Sequence, residues 1–174
     1  FNVPISVASS AGDAPGTIIH EGLYGSQMEN RIKVTGIALN TNVAKITVRS
    51  VPDQPGVAAA LFEPLAKVGI SVDTIVQNAS SDRTTDISFT VSRTDLPKAE
   101  SEVKLVMDQL GTDSIATDSS LATVSVVGSG MQNTPGYASR TFRVLAYGNL
   151  NIDMITTSVI RISCIIQHDQ TQEP

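Results

Sequence analysis

Asp53-Gln54-Pro55-Gly56 runs straight into an apolar stretch with helical spacing. The first N–H groups of a helix have no intrahelical partner and can hold an anion. Gly56, with no side chain, lets a ligand come close to that backbone. A carboxylate on those N–H groups and an ammonium on Asp53 suit an α-amino acid, whose two charges lie about 3–4 Å apart. The other reading is a turn and helix cap with no ligand, since Pro-Gly turns are common and Asp is an ordinary cap residue. The residues by themselves leave both open. Asn133-Thr134-Pro135-Gly136 repeats the arrangement without the acid, so two such loops need not bind equally.

Other constellations are thin. His20 and His168 have no carboxylate or cysteine at ligand spacing and read as solvated surface histidines rather than metal ligands. Cys164 lies between apolar neighbours and reads as a buried structural thiol, not a nucleophile. Gly128-Ser129-Gly130 follows a strand and precedes a helix, as a dinucleotide loop does, but Asn133 stands where the third glycine belongs, so a tight turn is the reading. No Ser/His/Asp set is available. The sequence offers no catalytic site and no metal site.

The elements that position these residues come as a repeat. Pro55-Gly56-Val57-Ala58 lies over Pro135-Gly136-Tyr137-Ala138, and the register continues without a gap. Phe62 falls on Phe142, Leu65 on Leu145, Ala66 on Ala146, Val72 on Ile152, Asp73 on Asp153 and Ile75 on Ile155. Upstream, Lys45-Ile46-Thr47-Val48 matches Thr123-Val124-Ser125-Val126. In the first copy, Ala44–Ser50 alternates as a half-buried strand. Val57–Val68 reads as a helix closed by Gly69 and bent at Pro64. Val72–Gln77 and Thr85–Val91 read as strands around a polar turn at Asn78–Arg83. A helix from Asp95, capped by Thr94 and stopped by Gly111, precedes a short strand at Ser114–Asp118. The order βαββαβ predicts an α+β, ferredoxin-like unit: an antiparallel sheet with helices on one face. The second copy gives a strand at Ala122–Val127, a helix at Gly136–Tyr147, and strands at Ile152–Thr157 and Ile160–Ile166. His168–Pro174 is too short and polar to supply the missing helix and strand. The spare strand Val34–Leu39 is expected to complete the second sheet, which interleaves the two units in sequence.

The chain of 174 residues is 41% hydrophobic and 17% charged, enough to bury a core without long disorder. A net charge of −5 with no basic cluster argues against nucleic acid or an anionic membrane as partner. The longest apolar run, Val57–Leu61 with Phe62, falls far short of the roughly 20 residues of a membrane span. One cysteine favours a reducing compartment. The opening Phe1-Asn2-Val3-Pro4 has neither an initiator Met nor a signal-peptide pattern, which predicts a piece of something longer.

Several stretches together resemble the paired ACT domains of aspartate kinases. Pro52-Asp53-Gln54-Pro55-Gly56 is similar to the first ACT ligand loop of that family. Val76-Gln77-Asn78 with Thr84-Thr85-Asp86-Ile87-Ser88-Phe89 resembles its "LQN…TTDITFT" strands. Val127-Gly128-Ser129-Gly130-Met131 followed by Pro135-Gly136 resembles "GAGM…PG". Asn151-Ile152-Asp153-Met154-Ile155, Thr157-Ser158 and Ile160-Arg161-Ile162-Ser163 resemble "NIELISTSEIRIS". Asn2-Val3-Pro4-Ile5, Ser9-Ser10 and Pro15-Gly16-Thr17 look like the close of the kinase domain.

The resemblance implies a division into 1–27 as kinase-domain end and linker, 28–43 as linker and completing strand, 44–119 as the first ACT domain and 120–174 as an incomplete second one. It implies that Asp53, Gly56, Val57 and Ala58 hold an effector's backbone and that Gln77 and Asn78 reach its polar groups. Asn151 and Ile152, of a partner chain or the same one, would close the pocket. A second pocket would use Thr134, Gly136 and Ala138. Pro64 breaks a helix usually unbroken in the family, while Asp153 and Val159 stand where Glu is usual. The expected effector is threonine or lysine. Threonine is favoured at the first loop, because neutral Gln77 suits a hydroxyl and the acids that a second ammonium wants are altered. The implied partners are a second copy through the ACT domains and a kinase domain or catalytic subunit. ATP and magnesium would belong to that kinase domain, and the implied location is the cytoplasm or a plastid. One rival places this stretch inside a longer enzyme rather than in a separate subunit begun at Met28. Another, an RNA-binding module of the same strand order, lacks the required basic face and central aromatics.

Overall fold

A computed structural model describes residues 34–79, 83–112, 114–131 and 134–171. It also gives the backbone of two short strands, β1 (Ile5–Val7) and β2 (Thr17–Ile19), paired antiparallel. The rest of residues 1–33, with His20 and Met28, and likewise Asn133, lies outside the described residues. From residue 34 the elements run β3 (Gly36–Pro52), α1 (Val57–Lys67), β4 (Ile75–Ala79), β5 (Thr84–Val91), α2 (Leu96–Leu110), β6 (Ile115–Val127), α3 (Tyr137–Tyr147), β7 (Met154–Thr157) and β8 (Arg161–Gln167).

The strands form one antiparallel sheet in the order β4-β5-β3-β6-β8-β7. The two strands expected at 34–39 and 44–50 are a single one, β3. Its first part, Gly36–Asn40, pairs with Thr123–Val127 of the second repeat, and its later part pairs with β5 and with Ile115–Asp118. Gly36–Leu39 therefore does complete the second sheet. The strands expected at 114–118 and 122–127 fuse likewise into β6, so two sheets become one.

That fusion raises a problem of sides. Side chains alternate along a strand, and Leu39 is seven residues from Ile46, so an unbroken strand would turn them to opposite faces. From Asn40 to Val43, β3 advances three residues while β6 advances two, from Thr123 to Leu121; from Val43 to Lys45 the excess passes to β6, from Leu121 to Asp118. Each extra residue reverses the alternation in its own strand. Ile37, Leu39, Ile46 and Val48 thus share the helix-bearing face.

Two cores sit on that face. In the first repeat, Ile46, Val48, Ile87 and Phe89 of the sheet pack under Leu61 and Leu65 of α1 and Ala99 and Val103 of α2. Each fully buried aliphatic side chain contributes about 1.5–3 kcal/mol, and the Phe62 and Phe89 rings meet edge to face at 5.1 Å. The second core is smaller: Leu145, Cys164 and Ile166, with Val124, Phe142, Leu150 and Ile152 at its margin. Where α2 covers the first repeat, the second has an open apolar groove of about 280 Å³ along Val34, Ile37, Val126 and Val144.

Local expectations shift in three places. The strand expected at 72–77 begins later, at Ile75, and takes in Asn78, which pairs with Asp86. Asp95, not Thr94, precedes α2 and makes no side-chain cap; instead Ser92 Oγ accepts from the Asp95 N–H and donates to the Asp95 carboxylate, holding the turn. α1 runs on through Pro64 to Lys67, and Val68 N–H donates to the Pro64 carbonyl.

Candidate functional site

The loop Asp53–Gly56 joins β3 to α1 and is exposed throughout. Asp53 N–H donates to the Arg83 carbonyl and Ala60 N–H to the Gly56 carbonyl, which fixes both ends of the turn. Gly56 sits at φ +97°, a conformation L side chains rarely adopt, while a Cβ there would meet no atom within 4 Å. The glycine is therefore required by the backbone angle, where the sequence suggested close approach. Among the described residues Ala58 and Ala59 begin the helix with no backbone acceptor for their N–H groups, and both are exposed, as is Asp53. An outward-facing anion site with an acid next to it is what this arrangement supplies.

Gly136 repeats the geometry at φ +100°. Arg140 N–H donates to its carbonyl, as does the Ser139 hydroxyl. Thr134 and Ala138 flank it, and Thr134 N–H donates to Met131. Between β6 and α3, Gly128-Ser129-Gly130 forms a tight turn closed by Met131 N–H on the Gly128 carbonyl. Cys164 is wholly buried on β8, and burial raises its thiol pKa, so it remains a protonated packing group. Among the described residues no three His, Cys, Asp or Glu side chains gather to hold a metal.

The edge strand β4 carries Gln77 and Asn78, both exposed. Gln77 lies opposite core residue Ile87, hence on the helix side, whereas Asn78 lies opposite Asp86 on the other face. They cannot both turn into one pocket from the same side. Asn151 and Ile152 lead into β7, the opposite edge of the six-stranded sheet. At about 4.8 Å per strand, β4 and β7 are about 24 Å apart. One chain therefore does not bring Asn151 to Gln77.

A feature that sequence reasoning missed lies where the repeats meet. Lys45 of β3 forms an ion pair with Asp153, which leads into β7 of the other repeat. Asp118, opposite Lys45 on β6, accepts from the Ser120 N–H at 2.8 Å and from its hydroxyl at 2.5 Å. Burial alone would raise the Asp118 pKa; the bonds from Ser120, with Gln167 and nearby Lys45, outweigh it and hold the pKa below the usual value. The signal available in sequence was the alignment of Asp73 with Asp153.

Two ACT domain family profiles match, one at residues 42–104 and the other at 124–173. An aspartate kinase of Pseudomonas fluorescens is 43% identical over 167 residues, 96% of this chain. Among solved structures, aspartokinase alpha and beta subunits are similar at 43% identity and TM-score 0.72, covering 78% of this chain and 89% of that one. The regulatory subunit of aspartate kinase from Thermus thermophilus is similar at 36% identity and TM-score 0.74, covering 79% and 90%. The chain belongs to the aspartate kinase family. Within that family it is the regulatory region with paired ACT domains, and it spans 40% of the length of the Pseudomonas fluorescens relative.

Proposed function

We propose that this ACT pair binds threonine, with lysine as the competing ligand, and passes that binding to an aspartate kinase domain that phosphorylates L-aspartate. The observation that carries the reading is the first loop, where an exposed acid lies beside unsatisfied helix-start N–H groups and only one of the two repeats has the acid. Asp53 takes the ammonium, the carboxylate takes the Ala58 N–H and draws the Val57 N–H from its long 3.5 Å bond to the Gln54 carbonyl, and Gln77 meets the hydroxyl. Asn151 and Ile152 come from a second copy, because a strand edge such as β4 or β7 has open backbone groups that a partner strand satisfies. The loop at Thr134, Gly136 and Ala138 forms a weaker second site. ATP and magnesium belong to the kinase domain, and the setting is the cytoplasm, or a plastid.

The effect on catalysis is linkage: a ligand shifts the kinase only by its differential affinity for two ACT arrangements, typically about 1–3 kcal/mol. The similarity to a separate regulatory subunit over 90% of its length supports a second reading, in which the kinase domain is on another chain. Titration calorimetry with threonine, lysine, methionine and isoleucine tests the ligand. Saturable threonine binding supports the proposal; binding of lysine alone removes the ligand choice, and no binding by any of the four removes the effector role.

A further inference from the structure

The repeat supplies an internal comparison at the junction of the two units. Lys45 corresponds to Thr123 and Asp153 to Asp73. Asp118, paired with Lys45, corresponds to Asn40, paired with Thr123. The surroundings correspond too. Asp153 N–H donates to the carbonyl of Ile165, the neighbour of Thr123, and Asp73 N–H donates to the carbonyl of Thr90, the neighbour of Lys45. Ser120 N–H closes on the Asp118 side chain as Asn42 N–H closes on the Asn40 side chain.

The two halves differ in their cation and in one acid: Lys45 is replaced by Thr123, and Asp118 by Asn40. In one, the Lys45 ammonium lies against Asp153 with Asp118 nearby. In the other, Thr123 reaches no such position, and a hollow of about 190 Å³ is lined by Asn40, Asp73, Thr123 and Arg161. It adjoins a second hollow of about 380 Å³ that shares Asn40, Asp73 and Arg161 and extends to Ser71 and Asp95. Neither Asp73 nor Arg161 has an ionic partner among the described residues.

We propose that this junction hollow is a ligand site of its own, taking an α-amino acid whose ammonium fills the place that Lys45 fills in the related half. Asp73 and the Asn40 amide oxygen receive the ammonium, and the Arg161 guanidinium receives the carboxylate in a two-pronged contact. The site is separate from the Asp53 loop and does not depend on that loop binding anything.

The test titrates the full chain, labelled for amide NMR, with L-threonine and L-lysine in turn, and with methylammonium and acetate as half-ligands. An amino acid should move the amides around Asn40, Asp73, Thr123 and Arg161, with each half-ligand at least tenfold weaker. Asp73→Asn should weaken that response at least tenfold and leave any response of the Gly56–Ala58 amides unchanged, whereas Asp53→Ala should do the reverse. Thr123→Lys carries the comparison to its end: the new ammonium should pair with Asp73, raise the melting temperature and abolish the junction response. Amino-acid shifts confined to the Gly56–Ala58 loop, a junction response that survives Thr123→Lys, or a melting temperature lowered by it, each overturns the proposal.

Discussion

At the scale of single residues, charge and backbone angle decide most of what the loops can do. A charge-assisted bond contributes about 1.5–3 kcal/mol, so Asp53→Ala should weaken threonine binding by roughly ten- to a hundredfold, read by calorimetry. Unchanged affinity would remove Asp53 from the site. Gly56, at φ +97°, has open space for a methyl group but not the backbone freedom. Gly56→Ala should therefore cost about 1–2 kcal/mol in strain alone, a drop of about 2–8 °C in melting temperature for a chain of this size. Asp118 gives a pH dependence with a definite sign. Its pKa is depressed in the fold, so its contribution is present above the unfolded value of about 3.9 and lost as pH falls. The gap in urea midpoint between the parent and Asp118→Asn should be open at pH 7 and narrow steadily as pH falls below about 4; a gap that widens in acid would reverse the assignment.

At the scale of elements, the repeats hold equivalent helices against unequal cores. Leu65 of α1 is fully buried beneath a second helix, whereas its counterpart Leu145 of α3 keeps 7% exposure and borders an open groove. Removing a leucine side chain costs more where the surroundings cannot relax or already exclude water, within a range of about 2–5 kcal/mol. Leu65→Ala should fall at the upper end and Leu145→Ala at or below the lower end in urea denaturation. Equal losses would mean that the groove is covered in solution. The sequence placed both helices to within a residue of their observed limits, since the 3,4 spacing of apolar residues is a local property. It placed β4 three residues early, because the β-branched Val72 reads as a strand residue as readily as Ile75 and only pairing with β5 sets where the strand begins.

At the scale of the whole molecule, the sheet ends on two strands, β4 and β7, that carry the two halves of the proposed effector pocket about 24 Å apart. Joining copies edge to edge brings them together, so sedimentation should give twice the chain mass at micromolar concentration, with threonine strengthening the association. A strict monomer that nevertheless bound threonine through Asp53 would show that Asn151 and Ile152 have no part in the pocket.

The sequence by itself determined the repeat, the βαββαβ order, the strand at 34–39 as the completing piece and the resemblance to paired ACT domains, because each rests on spacing along the chain. Tertiary structure alone decided that four expected strands are two long ones. It also placed the core faces of both repeats on one side of the sheet through opposed irregularities near Val43. The pairing of Lys45 with Asp153, with nothing equivalent opposite Asp73 among the described residues, likewise emerged only in three dimensions. The reason is physical. Alternation and helical period are written in neighbouring residues, but register and the meeting of charges 108 positions apart depend on which strands share hydrogen bonds. Those bonds join backbone groups common to every residue type, so their partners are chosen by the packing of the whole sheet.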